Sequence, residues 1–263
     1  MPDADIAEIL PDPTVQPTPV DAPETAAAAM PTGPRLQVHN AHGNALSVAL
    51  AADSTALAQQ MLLRYQVHGW VKGLEYHASA ELAWQIDGSH YAARQSISAF
   101  LLGSMEQTSS GQLTEQGLQP LHFSDRRFAK RRHVHFDWQA QQAHFDPVRE
   151  SAPIGLGTQD RLSFFMQLAA MLQSMPALRT PGTRIEIPTL GSRRLQMWTF
   201  VVEQAETLEL PAGMLATLRL QRQPQPGDDE TAWLWVIPTQ GYVPARIRMQ
   251  ERNGDVMNFS LKP

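Results

Sequence analysis

The sequence contains no cysteine. That absence excludes disulfides, thiolate metal sites, cysteine nucleophiles and a lipid-modified N-terminal cysteine. It suits an oxidising compartment, although many cytosolic chains lack cysteine too. There is also no apolar run of about 18 residues, so no helical membrane span is expected. No export signal of the usual form is visible. The first residues carry no basic region, and the alanines at 26–29 are too few for an apolar signal core. Two readings follow: a cytosolic chain, or one whose signal or anchor lies upstream. Basic charge is not in excess either, the net charge being −5. Residues 1–34 hold six of the 26 acidic residues and no Lys or Arg, which leaves 20 acidic against 21 basic residues in the remainder. A near-neutral body argues against nucleic acid as a partner, because that needs a strongly basic face. No internal repeat is visible.

What is present divides the chain in three. Residues 1–34 contain eight of the 20 prolines among Asp, Glu, Thr and Ala. Proline removes amide donors, and clustered negative charge repels itself, so this stretch is expected to be a disordered Pro/Ala-rich acidic tether. Residues 35–59 are an ambiguous linker. Leu46, Val48 and Leu50 alternate as in a short strand, whereas 56–61 could form a helical turn. From 60 to 263 the pattern is that of one antiparallel β domain. Leu63, Tyr65 and Val67 alternate with Arg64, Gln66 and His68. Strands are expected over 75–86 and 90–102 around Asp87-Gly88, then near 112–115, 119–128 and 131–139. Others are expected at 184–187, 195–203, 215–222, 232–237, 243–250 and 256–261, with turns at 211–213, 226–228 and 253–254. Trp233 and Trp235 share one face of a strand whose other face carries Leu234 and Val236, so that strand is expected to be buried on both sides. Pro244 suggests an edge strand or a strand's beginning.

One segment has a helical period. Leu162, Phe165, Met166, Ala169 and Leu172 form a stripe, with Thr158 where an N-cap belongs, Asp160 near the positive helix end, and Pro176 and Pro181-Gly182 closing it. Strands, one helix, then strands predict a mainly β fold: a large curved antiparallel sheet, half-barrel or barrel, with one long helix packed on its concave side.

Several segments together are familiar. Gly117-Leu118-Gln119-Pro120 precedes Arg126-Arg127 and His135-Phe136-Asp137-Trp138. Gly157-Thr158-Gln159-Asp160-Arg161-Leu162-Ser163 opens the helix. Trp233-Leu234-Trp235-Val236-Ile237-Pro238 and Tyr242-Val243-Pro244-Ala245-Arg246-Ile247-Arg248 complete the series. Their order and content resemble the proteobacterial envelope proteins known as domain of unknown function 3108 (DUF 3108), over roughly residues 60–262. The resemblance implies an antiparallel half-barrel distantly similar in architecture to periplasmic lipoprotein carriers. It also implies a periplasmic protein, or one anchored in the inner membrane and facing the periplasm. It supplies no activity and no catalytic residues.

Three candidate sites stand out. Phe164, Phe165, Met166, Leu168, Met171, Leu172 and Met175, with Trp233 and Trp235, could line an apolar groove, since methionine adapts its shape to varied apolar ligands. A helix that simply fills the half-barrel would look the same. His133, His135 and Asp137 share one strand face, successive same-face residues lying about 7 Å apart at a rise of roughly 3.3 Å per residue. Two imidazoles and a carboxylate could hold zinc, and a solvated polar face would read identically. Arg126, Arg127, Lys130, Arg131 and Arg132 form a basic surface that could meet anionic headgroups or simply keep a hairpin soluble. Ser163 lies in no nucleophile elbow. The carboxylates at 203, 206, 209 and 228–230 suggest solvent-facing turns. The expected function is non-enzymatic binding of an apolar ligand, with lipid or lipoprotein as partner and no cofactor. A structural or protein-interaction module of the envelope is the rival, and a metal-dependent enzyme the third reading.

Overall fold

The computed structural model describes residues 33–48, 50, 57–99, 103–148, 150–225 and 230–263. The expected tether, up to residue 32, and the turn at 226–228 lie outside the described residues. The strands, in chain order, are β1 (Gln37–His39), β2 (Gln60–Val71), β3 (Leu74–Asp87), β4 (His90–Ala99), β5 (Gly103–Thr114), β6 (Gly117–Arg127), β7 (Lys130–Asp137) and β8 (Gln142–Asp146). They continue as β9 (Ser151–Pro153), β10 (Gln159–Asp160), β11 (Arg184–Leu190), β12 (Leu195–Leu210), β13 (Gly213–Gln223), β14 (Glu230–Ile237), β15 (Val243–Glu251) and β16 (Val256–Leu261). The helix α1 (Ser163–Ser174) lies between β10 and β11.

Short links explain the connectivity. Strands β2 to β9 pair in sequence as one antiparallel meander, and β11 to β16 as another. Strand β16 pairs with β2, Val256 opposite Trp70 and Leu261 opposite Tyr65, which fuses the two meanders into one 16-stranded sheet. The expected Asp87-Gly88 hairpin is present, with Asp87 opposite His90 and Gly88 at φ 58, a conformation that glycine adopts without a Cβ penalty. The sheet is mainly β as expected, but it is not closed: β1 and β9 stand at its ends.

Between those ends the chain passes through β10 and α1, so the helical segment connects one end of the sheet to the other. Strand β10 pairs parallel with β11 and also packs on β6. Helix α1 packs against both β6 and β15, which lie in different meanders. One helix can touch both only if the sheet curls around it. That curling buries α1 on more faces than its amphipathic stripe predicts. Phe164, Leu168, Ala170 and Met171 are buried along with Met166, Ala169 and Leu172.

The helix is 12 residues long and begins later than its N-cap signal suggests. Thr158 does not cap it; its hydroxyl instead accepts the Gly155 N–H at 3.1 Å. Pairing with β11 holds Gln159-Asp160 extended, so Asp160 caps from one turn back. Its Oδ1 accepts the N–H groups of Leu162 at 2.8 Å and Ser163 at 2.9 Å. Pro244 stands near the start of β15, a central strand and not an edge. The register shifts beside it, at Trp235/Val236, and its carbonyl accepts the Tyr65 hydroxyl at 2.8 Å.

Candidate functional site

Alternation along the strands assigns each side chain to the helix-facing or the opposite face. On β14–β16 the helix-facing rows are Ala232–Met249–Met257 and Leu234–Ile247–Phe259, matched residue for residue by the register. On β4–β6 they are Gln95–Gln107–Asp125 and Ile97–Met105–Arg127. Helix α1 fills only part of the space between these walls. Beside its first turn remains a hollow of about 300 Å³, lined by both sets of rows, by Phe164 and Phe165, and by Trp198, Phe200 and Arg222 of β12–β13. That volume is at the small end of ligand pockets. Its aromatic wall is organised: the Phe164 ring lies 4.0 Å from Phe165, 4.9 Å from Trp198 in edge contact and 5.7 Å from Phe200 in a stack.

Of the residues singled out on the helix, Phe164 and Phe165 border this hollow. Met166, Leu168, Met171 and Leu172 are at most 1% exposed and belong to the packed core, where Met175 joins them at the periphery. The mouth-ward turn therefore meets the hollow, and the remaining turns fill the sheet. Trp233 also borders the hollow, whereas Trp235 does not, and both direct their rings toward the other face. Their rings lie under the Arg248 and Arg246 guanidinium groups at 5.5 and 5.1 Å, and the Trp235 indole N–H donates to Glu206. Glu206 and Glu203 both pair with Arg219, so these carboxylates belong to an ion network on that face.

Polar groups ring one end of the hollow. Asp125 is buried; it accepts the Ser192 hydroxyl at 3.0 Å and Arg127 Nε at 3.3 Å. Arg222 donates to Glu230 at 3.1 Å and stacks over Trp198 at 5.0 Å. Arg161, in the residue pair before α1, also lies over Trp198, at 5.8 Å. Sequence reasoning did not select Arg161, Trp198, Phe200 or the β14–β16 rows. Arg161 was visible in the helix-opening segment, but nothing local says what faces it.

Beneath the same turn lies a buried polar chain. Tyr91 OH meets Ser109 Oγ at 3.0 Å, Ser109 Oγ donates to Asp160 Oδ2 at 2.6 Å, and the Asp160 N–H donates to Ser163 Oγ at 2.9 Å. Ser163 is fully buried and serves this cap. Burial pushes the Asp160 carboxyl up to about 6, against the opposing pull of the Ser109 and backbone hydrogen bonds. An acid whose pKa is raised on folding stabilises the native state while protonated. The contribution is complete below the unfolded value near about 4 and is lost as pH rises through about 6. Wild-type protein is therefore expected to lose on the order of 2–3 kcal/mol between pH 4 and pH 7 relative to Asp160→Asn, whose amide keeps an acceptor for the helix amides. Urea midpoints of both proteins at the two pH values check this. The difference between the proteins isolates Asp160 from Glu75 and Glu106. Those two are held below the usual range, Glu75 by its His68 hydrogen bond and Glu106 by Arg94, and they act in the opposite sense.

The opposite face carries a different feature, a broad open groove of about 890 Å³ across β2–β8. His133 and His135 both face it. His135 stands in register with His122 on one side and His144 on the other, and His122 Nδ1 lies 3.4 Å from His135 Nδ1. Asp137 is not drawn into this row; it accepts the Ala140 N–H at 2.8 Å and closes the turn after β7. Among the described residues, ligand atoms converge instead at His68, Glu75 and His77 near the β2–β3 hairpin, all within 4.8 Å of one another. The basic run divides between the faces. Arg126 pairs with Glu106 at 3.5 Å, Arg127 borders the hollow, Arg132 stands opposite Asp125, and Lys130 and Arg131 are exposed. Phe128, 69% exposed, tips their hairpin.

Among the described residues no helix is long and apolar enough to cross a membrane. No curated protein matches the chain significantly in sequence. The fold is similar to that of a β-barrel-like protein of domain of unknown function DUF1849 from Brucella abortus, with TM-score 0.51 and 8% identity over 76% of this chain and 94% of that one. A Bacteroides fragilis protein described as exported, with a YmcC-like fold, aligns at TM-score 0.33 and 11% identity over 78% and 95% of the two chains. A Vibrio parahaemolyticus domain described as outer-membrane lipoprotein-sorting aligns at TM-score 0.27 and 6% identity over 82% and 90%. A family profile, that of the protein of unknown function DUF3108, matches residues 64–260, so the chain belongs to the DUF3108 family.

Proposed function

We propose that this domain binds an apolar ligand, an acyl chain of a lipid or lipoprotein, in the hollow beside the first turn of α1, and that it does so in the cell envelope without catalysing a reaction. One observation carries the reading: a space of about 300 Å³ is left between helix and sheet, and ten Phe, Met, Ile and Leu residues form a continuous part of its wall beside polar and charged groups. Apolar burial is worth roughly 25 cal/mol per Å², so a chain entering this space gains affinity with no directional chemistry. The envelope location rests on the family resemblance, which implies an exported or inner-membrane-anchored protein. Native mass spectrometry of the full chain, followed by lipid extraction, tests the reading. The expected result is a bound acyl species, or uptake of an added fatty acid at one equivalent. Protein that stays free of ligand under both conditions removes the reading.

The interaction-module reading draws on Phe128, 69% exposed at the tip of the basic hairpin. A hydrophobic tip flanked by cations suits a partner surface. It becomes the better account if the hollow binds nothing.

A further inference from the structure

Two buried N–H donors at one end of the hollow have no acceptor among the described residues: Arg161 Nε and Trp198 Nε1. Both residues border the hollow, and the guanidinium lies over the indole at 5.8 Å. Buried donors are nearly always satisfied, by protein or by water, and Arg126, Arg246 and Arg248 Nε are unpaired too; this couple differs in that both residues border the hollow, where an acceptor from outside the chain can enter. The hollow is bordered by Glu106, Asp125, Glu230 and Glu251 as well as by Arg127, Arg161 and Arg222, so the pairing of each arginine decides where an anion fits. Arg222 has Glu230 and Arg127 has Asp125, while Arg161 makes no ion pair among the described residues. Glu106 turns to the other face, toward Arg94 and Arg126. Burial, and next the neighbouring Arg127, hold the Arg161 guanidinium below its ordinary range against the partial opposing pull of Glu230 and Asp125, and a bound anion would relieve what remains.

We infer that the hollow takes a single-chain amphiphile with an anionic head, a carboxylate or a phosphate, and that Arg161 and Trp198 bind that head. The inference rests on the hollow being the binding site proposed above. The chain lies among Ile97, Met105, Leu234 and Met249, and the head sits where the aromatic wall ends at Arg161. A guanidinium suits this role because it stays charged when buried and offers a planar fork to an oxyanion.

The test is calorimetric titration of the full chain with dodecanoate, dodecyl phosphate and dodecanol, each below its micelle concentration. Both anions are expected to bind about tenfold or more tighter than the alcohol, the usual scale for a charge-assisted hydrogen bond. Arg161→Met is expected to remove the preference of both anions over dodecanol, and Trp198→Phe to remove part of it. Equal affinity for all three in wild type overturns the inference and leaves the apolar hollow standing. Binding of none overturns the hollow itself. An anion preference that survives in folded Arg161→Met overturns the assignment to Arg161. Inorganic phosphate alone is expected not to displace dodecyl phosphate; displacement at equal concentration would mark a free-anion site and overturn the amphiphile. Should Arg161→Met fail to fold by circular dichroism, the wild-type headgroup series still decides.

Discussion

Gln167→Leu lowers the free energy of unfolding by about 2–5 kcal/mol, although the substitution roughly conserves volume and adds apolar surface. Gln167 is fully buried in the middle of α1. Its Oε1 accepts the Leu118 N–H of β6 at 2.8 Å, and its Nε2 donates to the Leu50 carbonyl at 3.3 Å. Leucine would leave both backbone groups buried without partners, at about 1–3 kcal/mol each. Gln159 completes the attachment, donating to the Leu118 carbonyl at 2.8 Å. The helix and the short strand before it are thus pinned to the sheet through the two backbone groups of one residue. The approach is close there. A Cβ on Gly117, at φ +93, would lie 2.6 Å from Gln167 Oε1. Urea titration followed by near-ultraviolet circular dichroism measures the loss. A change under 1 kcal/mol would mean that α1 is held by apolar packing alone.

The second large effect concerns the hollow. Ile247→Trp is expected to weaken acyl-chain binding by about a hundredfold or more, while stability changes by no more than about 1–3 kcal/mol. Ile247 stands in the Leu234–Ile247–Phe259 row and is only partly buried, because its side chain borders the empty space. An indole there occupies the volume that a ligand needs, and tryptophan is well tolerated in strands. The matched control is His133→Ala with His135→Ala. These residues face the groove on the other side of the sheet and are expected to leave chain binding unaltered. Fatty-acid titration of both variants against wild type measures the contrast. Undiminished binding by Ile247→Trp would move the ligand away from this hollow. Unchanged metal content in the double His variant would dispose of a metal site on that strand.

The strands that sequence reasoning recovered are those with one apolar face. In β7, Val134 and Phe136 are buried while His133 and His135 are exposed, as their alternation predicts. The first nine of the 12 residues of β5 were missed, and the reason is chemical. Residues 103–111 read Gly-Ser-Met-Glu-Gln-Thr-Ser-Ser-Gly, polar or small on both faces. One face carries Glu106 toward Arg94, and the other carries Ser109 toward Asp160. No period of two in hydrophobicity survives such a strand. It forms because β4 and β6 supply the hydrogen-bonding partners. Likewise β8, β9 and β10 are short, and their pairing is decided by neighbours.

For the candidate site, the sequence located the helix but not the part of it that faces open space. Met166, Met171 and Leu172 had the composition of a groove lining, and they lie in the core. Trp233 and Trp235 had the composition of a groove lining too, and their rings lie with arginines on the opposite face, where Trp235 is buried as its strand pattern predicts. Composition cannot separate a side chain that lines a cavity from one that fills it, since both are apolar and both are removed from bulk water.

Local information alone determined that most of this chain after residue 60 is antiparallel strand, that one helix interrupts it near 162–175, and that Pro176 stops that helix. Side-chain alternation and backbone capping act over a few residues, so a few residues suffice to read them. The open sheet, the pairing of β16 with β2, and the meeting of Arg161, Trp198 and Phe164 from separate elements were decided only in three dimensions. Those contacts depend on how far the sheet curls before the helix stops it. Curvature is a sum over every strand pair, and no single stretch of sequence contains it.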